Sequence, residues 1–532
     1  MDIDSPTAST SASRPTRRVT VPAEAPYDLD HLSSSWDVTG RGKVLRLLFI
    51  AHSSPSLAGP ALTLALSAIQ RLTLDVRLYE ETYHQYRQFI SAVESGEEQD
   101  PRAREWLASI RSGEGGEGEC KVDREWIDKT RREAQSGQDK LEVELKGYMT
   151  NLIKESIRMG HRDLALHQYR TGDLQASVRS FSKSREYCTT SSHVLDMCLG
   201  VIAVALDLNN YAFVRNYVVK AESAVEAAAA SANSAGKTKA AAAVNLPGMV
   251  APAQDPIEAQ KERDRKIVLE RLTVAGGVAH LGSGQFDKAA RAFTEVGSEA
   301  LANGPAHFIP PADIALYAVL TSLATFSRAQ LRTRILENPG LRPFLDLEPW
   351  LRETVRLFCA GRYKEGLEGL RKHEARMLLD IHLAPHYPTL LIHLSNLSLL
   401  TFFAPFSSVT LSRTSHSFGW PEPSVLAAVV ELIRQGRLKA RVDVVGGKVV
   451  QRKRDERGEA FRNALNEGER ARKKVGAAQL RMKLLAADLV VKPGKGGQSA
   501  PGGGGGAKGG KSVRAPADGE ADGGDEVEVM DA

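Results

Sequence analysis

Residues 424–452 read SVLAAVVELIRQGRLKARVDVVGGKVVQR, and this stretch decides the fold of the C-terminal part of the chain. Ser424 precedes an apolar run with helical spacing that stops at Gly436, so a capping residue stands at each end of a predicted helix. Two short β-rich runs with alternating apolar and polar residues follow. Gly446 and Gly447 lie between these runs and predict a two-residue hairpin.

A second helix candidate, residues 410–417, precedes this stretch, and Gly419, Pro421 and Pro423 mark the turn between the two helices. Helix, turn, helix and hairpin in this order are typical of a winged helix. We therefore predict a winged helix over about residues 405–455.

Long stretches upstream of the winged helix carry apolar residues at helical steps of three and four. In residues 61–93 the stripe consists of Leu62, Leu66, Ile69, Leu72, Val76, Tyr79 and Tyr83. Such stripes are the buried faces of amphipathic helices. Ala and Leu are abundant and aromatic residues make up only 6% of the chain, which favours helices packed on helices over sheets.

A weak internal repeat lies within the helical region. A turn residue, with apolar residues two and nine places further on, returns four times: Gly172, Leu174 and Phe181; Asn209, Tyr211 and Val218; Gly284, Phe286 and Phe293; and Gly361, Tyr363 and Leu370. The turns are 37, 75 and 77 residues apart, and one or two units of this length are typical of tetratricopeptide-like helical pairs. Because one pair cannot bury its apolar face alone, the pairs are expected to stack into a solenoid. The alternative is that such turns are simply common between helices.

Three stretches are dominated by small or polar residues, and we predict that they are unstructured because they cannot bury enough apolar surface to offset the entropy of ordering. The whole chain is then an all-α helical-repeat solenoid followed by a winged-helix domain and a long terminal helix. In chain order the predicted parts are a disordered tail (residues 1–25), the helical-repeat domain (26–330, with a disordered Ala-rich insert at 224–256), the domain that ends in the winged helix (331–455), the terminal helix (456–491) and a disordered Gly-rich tail (492–532).

The predicted terminal helix has an apolar or small residue at alternating steps of three and four. These positions, which we call the seam, are Phe461, Ala464, Gly468, Ala471, Val475, Ala478, Met482, Leu485 and Leu489. A seam of this kind packs against partner helices. Little of the chain follows to cover it, so we expect an intermolecular helix bundle and assign partner binding to the large seam residues Phe461, Val475, Met482, Leu485 and Leu489. The alternative is that the helix folds back on the winged helix.

Composition and cysteine usage narrow the class of protein. The net charge of +5 is small for 532 residues and does not by itself imply nucleic acid. Four cysteines without paired spacing (Cys120, Cys188, Cys198 and Cys359) predict a reduced, intracellular protein. No stretch approaches 18 consecutive apolar residues, so we expect no membrane partner.

Two groups of His and Cys residues lie at spacings that could suit a metal: His382, His386 and His393; and Cys188, His193 and Cys198. Pro385 interrupts the first group, which also lacks the acidic neighbour of a metalloprotease helix. The second group lies in an apolar helical stretch, where free cysteine behaves as a small hydrophobe. No phosphate-binding loop or nucleophile elbow occurs. We therefore predict no enzyme, with no catalytic residue, no cofactor and no metal site.

Nucleic acid is the competing partner class. Residues 434–483 carry 16 Lys plus Arg against 6 Asp plus Glu. The second winged-helix helix, which enters the major groove in DNA-binding proteins, offers little beyond Glu431, Arg434 and Gln435 on its polar face. We do not expect sequence-specific nucleic-acid binding, and weak backbone contact through the basic wing and last helix is the alternative.

Helical repeats, a winged helix and a terminal helix, in that order, resemble the PCI-domain family of scaffold subunits. Local strings are similar to subunit one of the constitutive photomorphogenesis (COP-nine) signalosome. They are GHRDL (160–164), SREYCT (184–189), HVLDMCL (193–199), YVVKAE (217–222), FLDLEP (344–349), LLDIHLAPH (378–386) and GRLKARVD (436–443).

The resemblance implies a non-catalytic scaffold subunit of a complex that removes Nedd8 from cullins and so regulates cullin-RING ubiquitin ligases. It implies that a different, zinc metalloprotease subunit performs the hydrolysis. The implied partners are other signalosome subunits, through the winged helix and the terminal helix, and cullin-RING ligases through the complex, in nucleus and cytoplasm. The alternatives are a proteasome-lid scaffold subunit, whose family shares the string LAPH (383–386), and a nucleic-acid-binding winged-helix protein.

Overall fold

The computed structural model of the chain separates into two compact units, Met1–Arg452 and Lys453–Ala532. The first unit consists mainly of helices and contains a small antiparallel sheet, and the described part of the second is one long helix. The residues that the structure describes are Val19 and residues 27–36, 40–96, 100–112, 120–242, 256–297, 308–451 and 456–487.

The N-terminal part of the first unit is a succession of helices that pack mainly on their sequence neighbours. They are α1 (Leu29–Ser35), α2 (Arg41–Ser53), α3 (Pro55–Leu72), α4 (Val76–Ser95), α5 (Pro101–Ser112), α6 (Arg124–Thr150), α7 (Lys154–Arg170), α8 (Leu174–Ser184), α9 (Ser191–Asp207), α10 (Tyr211–Ala242), α11 (Pro256–Gly282) and α12 (Phe286–Thr294), with a 3₁₀ turn at Arg185–Tyr187.

Shorter helices and strands make up the rest of the first unit. They are α13 (Pro311–Thr325), α14 (Arg328–Leu331), α15 (Arg342–Leu347), α16 (Pro349–Ala360), α17 (Tyr363–Lys372), α18 (Glu374–Leu378), α19 (Tyr387–Phe403), β1 (Ser408–Thr410), α20 (Leu411–Phe418), α21 (Glu422–Arg434), β2 (Ala440–Asp443) and β3 (Lys448–Gln451), with a π-helical turn at Arg332–Leu336. The second unit contains α22 (Glu456–Ala486).

The four predicted repeat turns share one backbone geometry. The turn residue has a positive φ in each copy: 92° at Gly172, 54° at Asn209, 73° at Gly284 and 82° at Gly361. Its backbone N–H donates to the carbonyl three residues earlier, and the next N–H donates to the carbonyl five residues earlier. These bonds satisfy the last carbonyls of the preceding helix, in a left-handed conformation that glycine and asparagine tolerate. The predicted helical-repeat fold is confirmed.

The apolar residue nine places after each turn lies in the core, where Phe181, Val218, Phe293 and Leu370 are all buried. Phe293 of α12 lies so close to Gly277 of α11 that a Cβ atom added there would stand 2.8 Å from its ring. The missing side chain therefore allows α11 and α12 to approach each other, as close packing of a helical pair requires.

A cluster of ionised side chains is buried between helices that are far apart in sequence. Asp313 of α13 forms salt bridges with Arg46 of α2 and with Arg376 of α18, the second at 2.6 Å. Asp380 accepts a 2.7 Å hydrogen bond from the Tyr317 hydroxyl and lies 3.6 Å from Arg46. Burial raises the pKa of Asp313, but the charges of Arg46 and Arg376 outweigh burial and lower it below its ordinary value. The cluster thus keeps both charge signs paired away from water.

The structure differs from the sequence prediction in the Ala-rich insert. Residues 224–242 were predicted to be unstructured, but they continue α10. The physical reason is that alanine has the highest helix propensity and that no proline interrupts the segment before Pro247. The rest of the insert up to residue 255 lies outside the described residues. So do the predicted tails, apart from Val19.

The predicted winged helix is confirmed: a helix pair is followed by a hairpin, which belongs to a small sheet. The Thr410 hydroxyl caps α20 by accepting from the backbone N–H of Arg413, and Gly419 ends that helix with φ 67°. The next helix, α21, begins at Glu422 and not after Ser424, because proline suits a first helical turn.

The sheet of the winged helix corrects two details of the prediction. The loop between β2 and β3 has four residues, 444–447, so the predicted two-residue hairpin is wrong. The Asp443 carboxylate accepts a 3.0 Å hydrogen bond from the Gly446 N–H and so closes this longer loop. The sheet also contains β1, which sequence analysis missed; the strand order is β1-β3-β2, with both pairs antiparallel.

Candidate partner-binding site

The terminal helix α22 presents large apolar side chains to solvent. The relative exposures are 65% for Phe461, 56% for Val475, 68% for Met482 and 50% for Leu485. Leu489, the fifth predicted partner-binding residue, lies outside the described residues, which end at residue 487. The partner-binding role of the five residues stays a prediction.

The seam residues follow one face of α22 because their steps of three and four average 3.5 residues, close to the 3.6 residues of a helical turn. Small residues such as Gly468 and Ala471 stand between the large ones and would allow a partner helix to come close. Sequence analysis missed Leu480 and Leu484. Both are exposed and lie on the side of the helix away from Met482, so they do not belong to the seam.

Charged residues line the remainder of this helix. Arg470 pairs with Glu467 at 2.8 Å within one helical turn, and both side chains are exposed. The basic run Arg472, Lys473 and Lys474 is exposed as well. An apolar seam flanked by charges is typical of helices that associate in water.

The winged helix has a second exposed apolar surface, at its wing. Val445 is fully exposed at the tip of the β2–β3 loop, and Val444 beside it is 75% exposed. On the sheet, Val450 is exposed between Ser408 and Arg441, whereas Val409 and Val449 on the opposite face are buried. Exposed apolar residues grouped at one end of a small domain are typical of a contact surface.

The outer edge of β2 adds a backbone contribution to this surface. Among the described strands, β2 pairs only with β3. No described strand pairs with its other edge, so a strand from another chain can add to it. Sequence analysis assigned the winged helix to partner contact without naming this edge.

The exposed face of α21 carries little positive charge. It consists of Ser424, Ala427, Val430, Glu431, Arg434 and Gln435. Glu431 accepts a 2.9 Å hydrogen bond from the Gln435 side chain. A face with one arginine, one glutamate and an exposed valine provides few groups for reading base edges.

Of the histidines and cysteines singled out by their spacing, His393 is exposed and the others are buried or partly buried. His386 and His393 both stand edge-on to the ring of Phe286, and burial lowers the pKa of His382 to about 4. Burial raises the pKa of the Cys198 thiol to about 11. Within the described ranges, no group of three or more His, Cys, Asp or Glu side chains is arranged to hold a metal ion.

None of the helices described here is both long and apolar enough to cross a bilayer.

Two protein families match the chain. The family described as PCI domain matches residues 370–453, which contain the winged helix and the helices before it. The family described as 26S proteasome subunit RPN7 matches residues 123–334, which contain the repeat helices from α6 onward. Fold and matches together define a PCI-domain protein with an N-terminal helical-repeat region.

Relatives identify the branch of this class. COP9 signalosome complex subunit 1 of Arabidopsis thaliana is 30% identical over 460 residues, which cover 86% of the chain and 90% of the relative. COP9 signalosome complex subunit 1 of Emericella nidulans is 29% identical over 482 residues, 88% of the chain and 84% of the relative. The chain belongs to the COP9 signalosome complex subunit 1 family.

A proteasome subunit is similar to a shorter part of the chain, at lower sequence identity. The 26S proteasome non-ATPase regulatory subunit 6 of Dictyostelium discoideum is 23% identical over 217 residues, which cover 41% of the chain and 55% of that relative.

Proposed function

We propose that the chain is a non-catalytic scaffold subunit of a signalosome complex that removes Nedd8 from cullins and so regulates cullin-RING ubiquitin ligases. Its neighbours in the complex bind to the winged helix and to α22, and the ligases are reached through the complex. Nucleus and cytoplasm are the proposed locations, which a fluorescent fusion expressed at the native level tests. The relatives named as signalosome subunits support this proposal.

The observation that carries the scaffold role is the exposed seam of α22. Four large seam residues are at least half exposed. Apolar side chains on one face of a helix are normally buried, and a partner would bury these. Burying each of them in an interface stabilises the complex by roughly 1 kcal/mol. Together with the wing valines, the seam provides two separate contact surfaces, as a subunit with several neighbours needs.

The surroundings of the nucleophilic side chains support a non-catalytic role. Cysteine reacts as the thiolate, and burial raises the pKa of Cys188, Cys198 and Cys359, which keeps these thiols protonated near pH 7. A hydrolytic reaction in the complex is therefore assigned to a different subunit.

The test is purification of the tagged chain from its own cells, followed by mass spectrometry and a cullin deneddylation assay. We expect signalosome subunits in near-equal amounts, deneddylase activity in the purified complex and none in the isolated chain. Activity of the isolated chain on a Nedd8–cullin conjugate would overturn the non-catalytic assignment. Absence of other signalosome subunits would overturn the scaffold role.

A matched pair of variants tests the seam itself. The first replaces Met482 and Leu485 with serine, and the control replaces Leu480 and Leu484, equally apolar but off the seam. All four side chains are exposed, so we expect both variants to keep wild-type helicity. The first should lose co-purifying subunits several-fold and the control should not. Equal loss in both would mean that the seam does not determine assembly.

The alternative is a scaffold subunit of the proteasome lid. The RPN7 family match and the 26S proteasome relatives favour it, but those relatives cover less than half of the chain, whereas the two signalosome relatives cover more than four fifths. Recovery of lid subunits in the same purification would establish the alternative.

A further inference from the structure

A groove of about 440 Å³ lies on the helical repeats, where α6, α7 and α8 meet. Its floor is aliphatic, since the buried Leu145 of α6 and Leu164 of α7 line it together with Ala176 of α8. It lies in the first unit, apart from the winged helix. It is large enough for two or three side chains of an extended peptide.

The rim of the groove is cationic. Lys146 of α6 and Arg179 and Lys183 of α8 line it, and all three are exposed. Among the described residues, none of the three forms a salt bridge with a carboxylate. The one carboxylate in the lining, Glu142, accepts a 3.0 Å hydrogen bond from the Gln138 side chain. The lining thus carries three positive charges against one negative charge.

His161 adds an unused polar group to this groove. Its side chain lines the groove, is only 4% exposed and stacks on Tyr187, and its Nδ1 atom is buried without a hydrogen-bond partner. Burial, and then the charge of Lys183, lower its pKa, so the imidazole is neutral near pH 7. A buried ring nitrogen without a partner costs free energy until a ligand or a water molecule satisfies it.

Exposed apolar residues continue the floor toward the turn between α6 and α7. Met149 lines the groove and is partly exposed, and Leu152 and Ile153 at the turn are 80% and 51% exposed. Leu152 also has a φ of 53°, a left-handed conformation that leucine rarely adopts. The aliphatic surface of the groove is therefore longer than the cavity alone.

We propose that this groove binds a short segment of a partner protein in which Asp or Glu side chains alternate with aliphatic ones. The carboxylates pair with Lys146, Arg179 and Lys183, and the aliphatic side chains cover the floor. A peptide is favoured over nucleic acid because single-stranded bases bind by stacking on aromatic rings, and the lining contains no Phe, Tyr or Trp. The site is independent of the proposed function, because the groove is complete within this chain.

The test is fluorescence anisotropy of the full chain with a labelled eight-residue peptide in which aspartate alternates with leucine. We expect saturable binding with a Kd below about 1 mM, and weaker binding at high salt because the rim charges are exposed. Lys146→Glu should weaken binding on the order of tenfold, since it replaces one attraction with one repulsion. Its control is Lys140→Glu, the same change on the opposite side of α6, and it should alter the Kd less than about twofold.

A second pair of variants tests the aliphatic part. Met149→Ser should weaken binding, whereas Val143→Ser, a change at an exposed apolar residue of α6 outside the lining, should not.

The proposal would be overturned if a peptide with asparagine in place of aspartate bound equally well. It would also be overturned if Lys146→Glu and Lys140→Glu had equal effects on the Kd. Tighter binding of an eight-nucleotide oligouridylate than of the peptide would overturn it in favour of nucleic acid.

Discussion

Replacement of Asp313 with alanine tests the buried charge cluster. The carboxylate pairs with two buried guanidinium groups, Arg46 and Arg376. Its removal leaves these two positive charges away from water with one carboxylate of the cluster, Asp380, which lies 3.6 Å from Arg46. Removing one partner of a buried ion pair destabilises a protein by about 3–5 kcal/mol. We expect Asp313→Ala to lower the free energy of unfolding of the first unit by that amount.

The assay is urea unfolding followed by tryptophan fluorescence. Trp36 is a local reporter, since the guanidinium of Arg46 lies 5.5 Å from the centroid of its buried ring. The matched control is Asp287→Ala, which removes a carboxylate 2.8 Å from Arg291 on the surface of α12. Both side chains of that pair are more than half exposed, so the control should cost less than about 0.5 kcal/mol.

The pH dependence has a defined sign. The pKa of Asp313 is lowered in the folded chain, so its contribution is complete above the unfolded pKa of about 3.9 and disappears as the pH falls through the folded value. The difference between wild type and Asp313→Ala should therefore be constant from pH 5 to 8, values well above about 3.9, and shrink only in acid. A cost no larger than that of Asp287→Ala, or a difference that shrinks as the pH rises from 5 to 8, would refute the reasoning.

Three further predictions concern packing, turns and thiols. Gly277→Ala should destabilise the repeat by about 1–3 kcal/mol because the Phe293 ring must move, whereas Gly276→Ala, whose Cβ would meet only an ordinary contact at 3.7 Å, should not; thermal unfolding compares them. Gly284→Ala should cost about 1 kcal/mol in the same assay because its φ is 73°, and an unchanged midpoint would contradict the left-handed turn. Cys198, buried and with a pKa of about 11, should resist iodoacetamide at pH 8 until the chain unfolds, which mass spectrometry measures; rapid labelling of folded protein would contradict its burial.

The sequence determines the local features of this fold. The repeat turns were predictable because a residue with positive φ and a buried residue nine places later are both encoded within a dozen positions. The winged helix was predictable because Gly419 and Gly436 end its two helices. Composition alone misjudged the Ala-rich segment of α10, because a low-complexity appearance does not prevent helix formation.

Features that depend on distant parts of the chain could not be predicted. The strand β1 has only three residues, and its partner β3 follows some forty positions later. Asp313 stands in an apolar run, and nothing near it in sequence indicates Arg46 or Arg376 as its partners. The same holds for the candidate sites: spacing located the seam on α22, whereas the groove among α6, α7 and α8 exists only once three helices are packed.

The buried cluster also determines how the chain can be divided. Arg46 and Asp313 lie before the predicted domain boundary at residue 330, whereas Arg376 and Asp380 lie after it. A fragment that ends at residue 330 keeps Arg46 and Asp313 but exposes both to water. The complementary fragment keeps Arg376 and Asp380 and exposes them in the same way. Any division of the chain that separates these four residues should yield two poorly folded pieces, because neither piece can bury its charges as complete ion pairs. The repeat helices and the PCI domain therefore depend on each other for folding.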